Sequence, residues 1–178
     1  MQQTHNIILI GFMGSGKSAV GRALAGRLRW RHRDTDTEIE SEAGCTIADL
    51  FLAEGEAAFR HRETATLVRL LSEITYEQTI LSTGGGTPLQ PENAALLKQM
   101  GTVIWLQASL EAIWVRVGPN LASRPLLAAY QDNPQARIES LLTERTPLYA
   151  AVADFALDTS IYARPMEAAN QILSLLDR

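Results

Sequence analysis

Residues 11–18 read Gly-Phe-Met-Gly-Ser-Gly-Lys-Ser and match the pattern GxxxxGK(S/T), which holds phosphate groups. Its glycines let the backbone turn with several N–H groups pointing inward, and the helix that follows adds positive potential at its N-terminus. We expect Lys17 to neutralise the β- and γ-phosphates and the hydroxyl of Ser18 to bind Mg²⁺. The pattern therefore predicts a site for the phosphate groups of a nucleotide.

The residues on both sides of this loop predict the strand and the helix that it must join. Residues 6–10 are short, β-branched and continuously apolar, which is typical of a buried parallel strand. Residues 19–28 carry apolar side chains at helical spacing. The motif has the context that phosphate binding needs, and a glycine-rich turn with no ligand is the alternative.

Short apolar runs alternate with helical patterns along the rest of the chain. Strands are predicted at 6–10, 30–34, 79–83, 102–107 and 154–158. Helices are predicted at 17–28, 36–43, 47–53, 56–74, 91–100, 109–117, 134–151 and 165–177. The alternation indicates an α/β fold in which helices wrap a parallel sheet. The irregular stretch 118–127 lies between two predicted helices and is long enough to form a cover over the site.

Length and composition set limits on the class of protein. With 178 residues, 46% of them hydrophobic, the chain is expected to form one domain with its own core. A net charge of −4 with dispersed arginines argues against nucleic-acid and membrane partners. The lack of a signal-peptide pattern in residues 1–10 and the single cysteine, Cys45, lead us to expect a cytoplasmic protein.

Polar residues that end the predicted strands are expected beside the phosphate loop, because ligands of open α/β sheets bind at the carboxyl ends of the strands. After the second strand, one carboxylate of Asp34 and Asp36 is suited to hold Mg²⁺ through water and the other to face a substrate hydroxyl. The alternative is that Asp36 or Thr35 only caps the next helix. Glycines 84–86 end the third strand, either to expose backbone N–H groups to a ligand or to make an unusually tight turn.

Arginines are the candidate anion ligands. Phe59 should face the core from a long predicted helix, which places Arg60 and Arg62 on different faces, so that one is suited to bind an anion while the other is solvated. Periodicity alone favours a solvated helix face. Taken alone, Arg145 could equally cap a helix end, and Arg124 could lie free on a loop.

Six segments together resemble the shikimate kinase family, within the nucleoside-monophosphate-kinase group of phosphate-loop folds. They are GFMGSGKS at 11–18, DTD at 34–36, IADLFLAEGEAAFRHRE at 47–63, LSTGGGTPL at 81–89, ASRPLL at 122–127 and ERTPLYAAVAD at 144–154. The segments span most of the chain in the order and approximate spacing of the family. Six matches in register are specific, although any one of them could arise by chance.

The resemblance implies both a fold and an activity. The fold is a three-layer α/β fold of the P-loop NTPase type, a five-stranded parallel sheet flanked by helices within one domain, 1–178. It carries a small helical substrate-binding region at about 36–63 and a lid at about 118–128. The activity is transfer of the γ-phosphoryl group of ATP to the 3-hydroxyl of shikimate, with Mg²⁺, in aromatic amino-acid biosynthesis. A monomer is expected.

The resemblance also implies roles for individual residues around the nucleotide. The phosphates would be held by the loop and the start of its helix, namely Gly14, Ser15, Gly16, Lys17, Ser18 and Ala19. Ser18 and Asp34 would organise Mg²⁺, and Arg124 would reach the phosphates from the lid and take part in catalysis with Lys17. Arg164, which fits the family's adenine-flanking arginine only with a shift of one or two positions, would bind the base, and Arg116 is the alternative.

On the substrate side, the resemblance assigns Asp36 to the substrate hydroxyls as the candidate base. Arg60 and Arg145 would pair with the substrate carboxylate, and Gly85 would offer backbone contacts. Two other functions are weighed against this one. A kinase for another sugar acid, such as gluconate, would not require FRxRE, GGG and RTPLY together. A nucleotide-dependent switch is disfavoured because the chain lacks the NKxD motif of GTPases and carries a carboxylate suited to face an acceptor hydroxyl.

Overall fold

The computed structural model describes residues 6–74, 77–119 and 133–176. Within these ranges the strands are β1 (Asn6–Ile10), β2 (Arg31–Asp34), β3 (Thr79–Ser82), β4 (Gly101–Gln107) and β5 (Phe155–Asp158). The helices are α1 (Lys17–Leu28), α2 (Thr35–Ala43), α3 (Ile47–Ile74), α4 (Pro91–Met100), α5 (Leu110–Val117), α6 (Pro134–Val152) and α7 (Pro165–Leu176), with a 3₁₀ turn at Thr87–Leu89. None of the helices in these ranges is both long and apolar enough to cross a lipid bilayer.

The strands form one parallel sheet in the order β2-β3-β1-β4-β5. Strand β1 lies at the centre and is buried on both faces, because its side chains alternate between two hydrophobic clusters. Ile8 belongs to the cluster shared with α3, α4 and α6, whereas Leu9 belongs to the cluster shared with α1 and α7. The five-stranded parallel sheet flanked by helices is therefore confirmed.

Helix α3 has a break at the position where the sequence predicts one. The sequence predicts two helices separated at 54–55, and the observed helix has a kink at Gly55, whose φ of 80° and ψ of 173° are not helical. A positive φ is easily reached only by glycine, so this residue separates the two halves. Of the expected lid, residues 120–128, and Arg124 with them, lie outside the described residues.

The side chain of Asn6 ties together the amino-terminal end of the sheet. It is 2% exposed, and its Nδ2 donates to the carbonyl oxygens of Met100 at 2.9 Å and Ile74 at 3.3 Å. Its Oδ1 accepts from the N–H of Thr79 at 3.0 Å. One buried amide thereby satisfies backbone groups at the ends of α3 and α4 and at the start of β3.

We predict that Asn6→Ala lowers the free energy of unfolding by roughly 3 kcal/mol, because leaving a single buried backbone group unpaired costs about 1–3 kcal/mol. Urea unfolding measures the change. The matched control is Asn170→Ala on the exposed face of α7, which should change stability by less than about 0.5 kcal/mol. An Asn6→Ala protein as stable as this control would contradict the interpretation.

Candidate active site

The phosphate loop has the geometry that its sequence predicts. It runs from the end of β1 to Gly16, the residue before α1, and it passes through positive φ at Gly11, Gly14 and Gly16. At Gly11, which has a φ of 142°, an added Cβ would lie 2.4 Å from the carbonyl oxygen of Leu106. The loop is thus closely packed against the end of β4, and a larger residue at Gly11 would force it outward.

Lys17 and Ser18 begin α1 at the mouth of this loop. The Nζ of Lys17 donates to the carbonyl oxygens of Phe12 at 2.8 Å and Gly11 at 2.9 Å, so the loop curls around the ammonium group. The Oγ of Ser18 donates to Oδ2 of Asp34 at 2.6 Å. The phosphate loop is therefore joined to the end of β2 through a single hydrogen bond between two side chains.

Asp34 is also the residue that caps α2. Its Oδ1 accepts from the backbone N–H of Asp36 at 3.1 Å, so the suggestion that Asp36 or Thr35 makes this cap is wrong. The hydroxyl of Thr35 instead accepts from the N–H of Gly84 at 2.8 Å. Because Asp34 supplies the cap, the first turn of α2 is fixed while the Asp36 side chain lies along the neighbouring pocket.

The Ser18 hydroxyl and the Asp34 carboxylate form a pair of oxygen donors suited to Mg²⁺. In the described part of the chain, no group of three His, Cys, Asp or Glu side chains could hold a metal ion. Mg²⁺ at nucleotide sites is commonly bound by one or two protein oxygens together with phosphate oxygens and water. The donor pair fits that kind of binding.

A pocket opens beside the phosphate loop, with about 520 Å³ of empty space that includes its mouth. Its apolar wall consists of Met13, Ile47, Phe51 and Phe59. Its polar groups are Asp36, Arg60, Glu63 and Arg145, together with the backbone of 84–86. The structure thus brings together the four substrate-side residues that the sequence singles out, Asp36, Arg60, Gly85 and Arg145, and adds Glu63.

Arg60 and Arg62 point to different surroundings, as the helical periodicity predicts. Nη1 of Arg60 donates to Oε2 of Glu63 at 2.5 Å and Nη2 donates to Oε1 of Glu56 at 2.9 Å, whereas the exposed Arg62 pairs with Glu54. Burial disfavours the charged form of Arg60, but the pairing with Glu63 and Glu56 outweighs it and raises the pKa above its usual value. Arg60 enters the pocket with its charge already largely compensated.

Glu63 is the buried partner in this arrangement. Its side chain is 1% exposed, and besides Arg60 it accepts from the Thr87 hydroxyl at 2.6 Å. The signal that sequence reasoning missed was its spacing, because a residue at i+3 lies on the same helix face as Arg60. A buried carboxylate with a charge-assisted hydrogen bond on each oxygen holds the guanidinium in one place.

The three glycines have a reason that neither sequence hypothesis gave. A Cβ on Gly86 would lie 2.5 Å from Nη1 of Arg60, and one on Gly84 would lie 2.6 Å from Oδ1 of Asp36. None of the three has a positive φ, and the N–H of Gly84 is already bonded to Thr35. At Gly84 and Gly86 the polar side chains of the pocket thus lie directly against the backbone, whereas a Cβ on Gly85 would lie 3.2 Å from the backbone nitrogen of Met13 in the phosphate loop.

Arg145 lies inside α6 and is 6% exposed, so the suggestion that it caps a helix end is wrong. Its guanidinium lies over the ring of Phe12, with Cζ 5.6 Å from the ring centroid. Among the described residues, its Nε and Nη1 are buried without a hydrogen-bond partner. Buried guanidinium donors are rarely left in this state, and an anionic ligand in the pocket would satisfy them.

Tyr149, one turn beyond Arg145 on α6, also supports the pocket. Its hydroxyl donates to the carbonyl oxygen of Gly85 at 2.6 Å. Burial raises the pKa of Tyr149 to about 12, although the charge of Arg145 acts in the opposite direction. The phenol therefore stays protonated at neutral pH and fixes the Gly85 peptide. The sequence carries no signal for this contact, because it depends on how α6 packs against the sheet.

Another pocket adjoins the phosphate loop and is lined by Ser15, Gly16 and Ala19 together with residues from 159–168. Both arginines proposed for the adenine line it, Arg116 from α5 and Arg164 before α7. The Nη atoms of Arg116 donate to the carbonyl oxygens of Gly14 and Thr159, at 3.0 and 3.2 Å. The structure thus brings the two alternatives together at one pocket, and the choice between them stays a prediction.

Comparison with known proteins gives one consistent family. The model of the family described as shikimate kinase matches residues 13–177. A shikimate kinase of Vibrio campbellii is 42% identical over 177 residues, which cover 99% of each chain. One from Symbiobacterium thermophilum is 43% identical over 155 residues, or 86% of each chain. The solved shikimate kinase from Acinetobacter baumannii in complex with shikimate is 40% identical with a TM-score of 0.89, covering 97% of this chain and 92% of that one.

We predict that Gly86→Ala destabilises the protein by roughly 1–3 kcal/mol, the usual cost of overpacking, because the new Cβ pushes Arg60 away from Glu63. The backbone of Gly86 has ordinary helical angles, so alanine itself adds no strain there. Gly26→Ala in α1 is the matched control, with nothing near its Cβ, and it should be stabilising by about 0.5–1 kcal/mol. Denaturant unfolding of both variants tests this, and a gain in stability for Gly86→Ala would show that Arg60 is not held against the glycine.

Proposed function

This chain belongs to the shikimate kinase family, and we propose that it transfers the γ-phosphoryl group of ATP to the 3-hydroxyl of shikimate, giving shikimate 3-phosphate and ADP in aromatic amino-acid biosynthesis. The observation that supports the substrate assignment is the pair of buried donors on Arg145, which have no partner in the described ranges and lie in the same pocket as Arg60 and Asp36. A small carboxylate with several hydroxyls needs cationic groups at one end of its site and an acceptor at the other. The pocket supplies both beside a phosphate loop.

The two arginines contribute differently to carboxylate binding. Arg60 is already paired with Glu63 and Glu56, so an incoming carboxylate meets a largely neutralised group. Arg145 has no ion pair among the described residues, and its Nε and Nη1 lack partners. Because a new charge-assisted bond is strongest where it satisfies a buried orphan donor, we assign the larger share of carboxylate affinity to Arg145.

Asp36 is assigned to the acceptor hydroxyl. It starts α2 two residues after Asp34, which fixes its backbone N–H, and it lines the pocket at Gly84. A carboxylate within hydrogen-bond reach of the 3-hydroxyl either removes its proton or orients it for attack on the γ-phosphorus. Phosphoryl transfer demands mainly positioning and charge neutralisation, so either role is sufficient.

The phosphate loop is assigned to ATP, with its backbone N–H groups and Lys17 on the phosphates. Ser18 and Asp34 would hold Mg²⁺, which when bound neutralises the developing charge on the phosphate oxygens. Arg124 lies outside the described residues, and its role in a lid stays a prediction, as do the cytoplasmic location, the single domain and the monomeric state. The test of the whole assignment is a coupled assay of ADP release with shikimate, with gluconate and with no acceptor.

We predict that Asp36→Asn lowers kcat by roughly 10²- to 10⁴-fold while ATP and shikimate still bind, since this is the usual contribution of a general base. Steady-state kinetics and the two dissociation constants measure the effect. Asp34→Asn should behave differently and raise the Mg²⁺ concentration needed for half-maximal rate, because Asp34 contacts Ser18 rather than the pocket. A folded Asp36→Asn protein with near-parental kcat would remove Asp36 from the reaction.

We further predict that Arg145→Ala raises the KM for shikimate by about ten- to a hundredfold, since a charge-assisted hydrogen bond contributes about 1.5–3 kcal/mol. Arg60→Ala should have the smaller effect because its charge is already paired. Arg62→Ala is the matched control on the same helix and should leave both KM values near parental. If Arg145→Ala raised the KM for ATP as much as that for shikimate, the carboxylate assignment would be wrong.

A further inference from the structure

Thr159 connects elements that no sequence motif links. It directly follows β5, it is 4% exposed, and its N–H donates to the carbonyl oxygen of Gln107 at the end of β4 at 2.9 Å. Its Oγ1 lies 2.9 Å from that same oxygen and 2.9 Å from the carbonyl oxygen of Ser15 in the phosphate loop. A single buried hydroxyl thus lies between the sheet and the loop.

Arg116 also donates to this hydroxyl. Its Nη1 donates to Oγ1 of Thr159 at 3.3 Å and to the carbonyl oxygen of Gly14 at 3.0 Å. A guanidinium only donates and a hydroxyl has one proton, so that proton goes to the carbonyl oxygen of Ser15 or of Gln107, and the Gln107 oxygen already accepts from the N–H of Thr159. Two consecutive carbonyls of the loop, those of Gly14 and Ser15, are therefore held from outside by Arg116 and Thr159.

The direction of the Ser15 carbonyl also sets the direction of the Gly16 N–H, because both belong to one peptide. A trans peptide is planar, and its C=O and N–H point in opposite directions. When the Ser15 carbonyl is held on Thr159, the N–H of Gly16 must point to the other side, into the loop. Gly16 has a φ of 94° and no side chain to restrict rotation, so this peptide needs an external anchor.

We propose that Thr159 is a positioning residue for phosphate binding, whose hydroxyl holds the Ser15–Gly16 peptide so that the Gly16 N–H faces the phosphate groups. The proposal rests on the assignment of the phosphate loop to ATP. It places the effect of Thr159 on the phosphates rather than on the base, although the residue also lines the pocket with Arg116 and Arg164. In this arrangement the nitrogen atoms of Arg116 hold the loop, and the flat faces of its guanidinium are left for stacking on a base.

The test compares binding of ATP, of inorganic tripolyphosphate and of shikimate by titration calorimetry with Mg²⁺ present. Thr159→Val keeps the shape but removes the hydroxyl, and it should weaken ATP and tripolyphosphate by the same factor, about three- to tenfold, the equivalent of one hydrogen bond. Shikimate affinity should be unchanged. Thr159→Ser restores the hydroxyl and should return both phosphate ligands to within about twofold of the parent.

A matched control at the opposite end of the sheet distinguishes a specific effect on phosphate binding from a general loss of stability. Thr79→Val removes another buried hydroxyl that donates to a backbone carbonyl, that of Glu77, and should leave all three ligands unaffected. If Thr159→Val does not fold, Thr159→Ala carries the same expectations.

The outcomes separate the proposal from its premise. Unchanged tripolyphosphate affinity in the valine variant would overturn the proposal. If ATP binding were weakened at the same time, Thr159 would act on the base pocket instead. A parent chain that binds neither phosphate ligand would overturn the proposed function and, with it, this inference.

Discussion

The two carboxylate oxygens of Asp34 make the link on which the candidate site depends. One oxygen accepts from the Ser18 hydroxyl at the start of α1, and the other accepts from the backbone N–H of Asp36 at the start of α2. A single side chain at the end of β2 thereby fixes the start of α1, which follows the phosphate loop, and the helix that carries Asp36 relative to each other. Phosphoryl transfer is sensitive to such placement, because a misplacement of about 1 Å can cost about a hundredfold in rate.

The two arginines of the pocket differ in how far their charge is compensated. Glu63 and Glu56 compensate Arg60, whereas two buried donors of Arg145 have no partner among the described residues. An unsatisfied buried donor costs about 1–3 kcal/mol in the free protein. An anion that bonds to these donors removes that cost. The removal of the cost adds to the free energy of binding.

Much of the fold was predictable because helices and parallel strands have different hydrophobic periods, and even the break at Gly55 was visible in the sequence. The placement of Asp34, which ends β2, and of Asp36, which follows it in α2, was predictable for a topological reason, since ligands of open α/β sheets bind at the carboxyl ends of the strands. The contacts between side chains and distant backbone groups could not be predicted from the sequence. The cap on α2 comes from Asp34 rather than from its neighbours, and Tyr149 and Thr159 act on backbone groups 64 and 144 residues away.

The glycines at 84–86 have a structural cause that composition alone does not reveal. A run of glycines suggests either exposed N–H groups or a backbone turn that other residues cannot make, and both explanations concern the glycines themselves. The physical cause is the space that their neighbours occupy, because Asp36 lies within 2.6 Å of a Cβ at Gly84 and Arg60 within 2.5 Å of one at Gly86. Small residues at these positions allow two opposite charges to approach the same short stretch of backbone. The pocket thereby holds the carboxylate of Asp36 and the guanidinium of Arg60 against one short stretch of backbone.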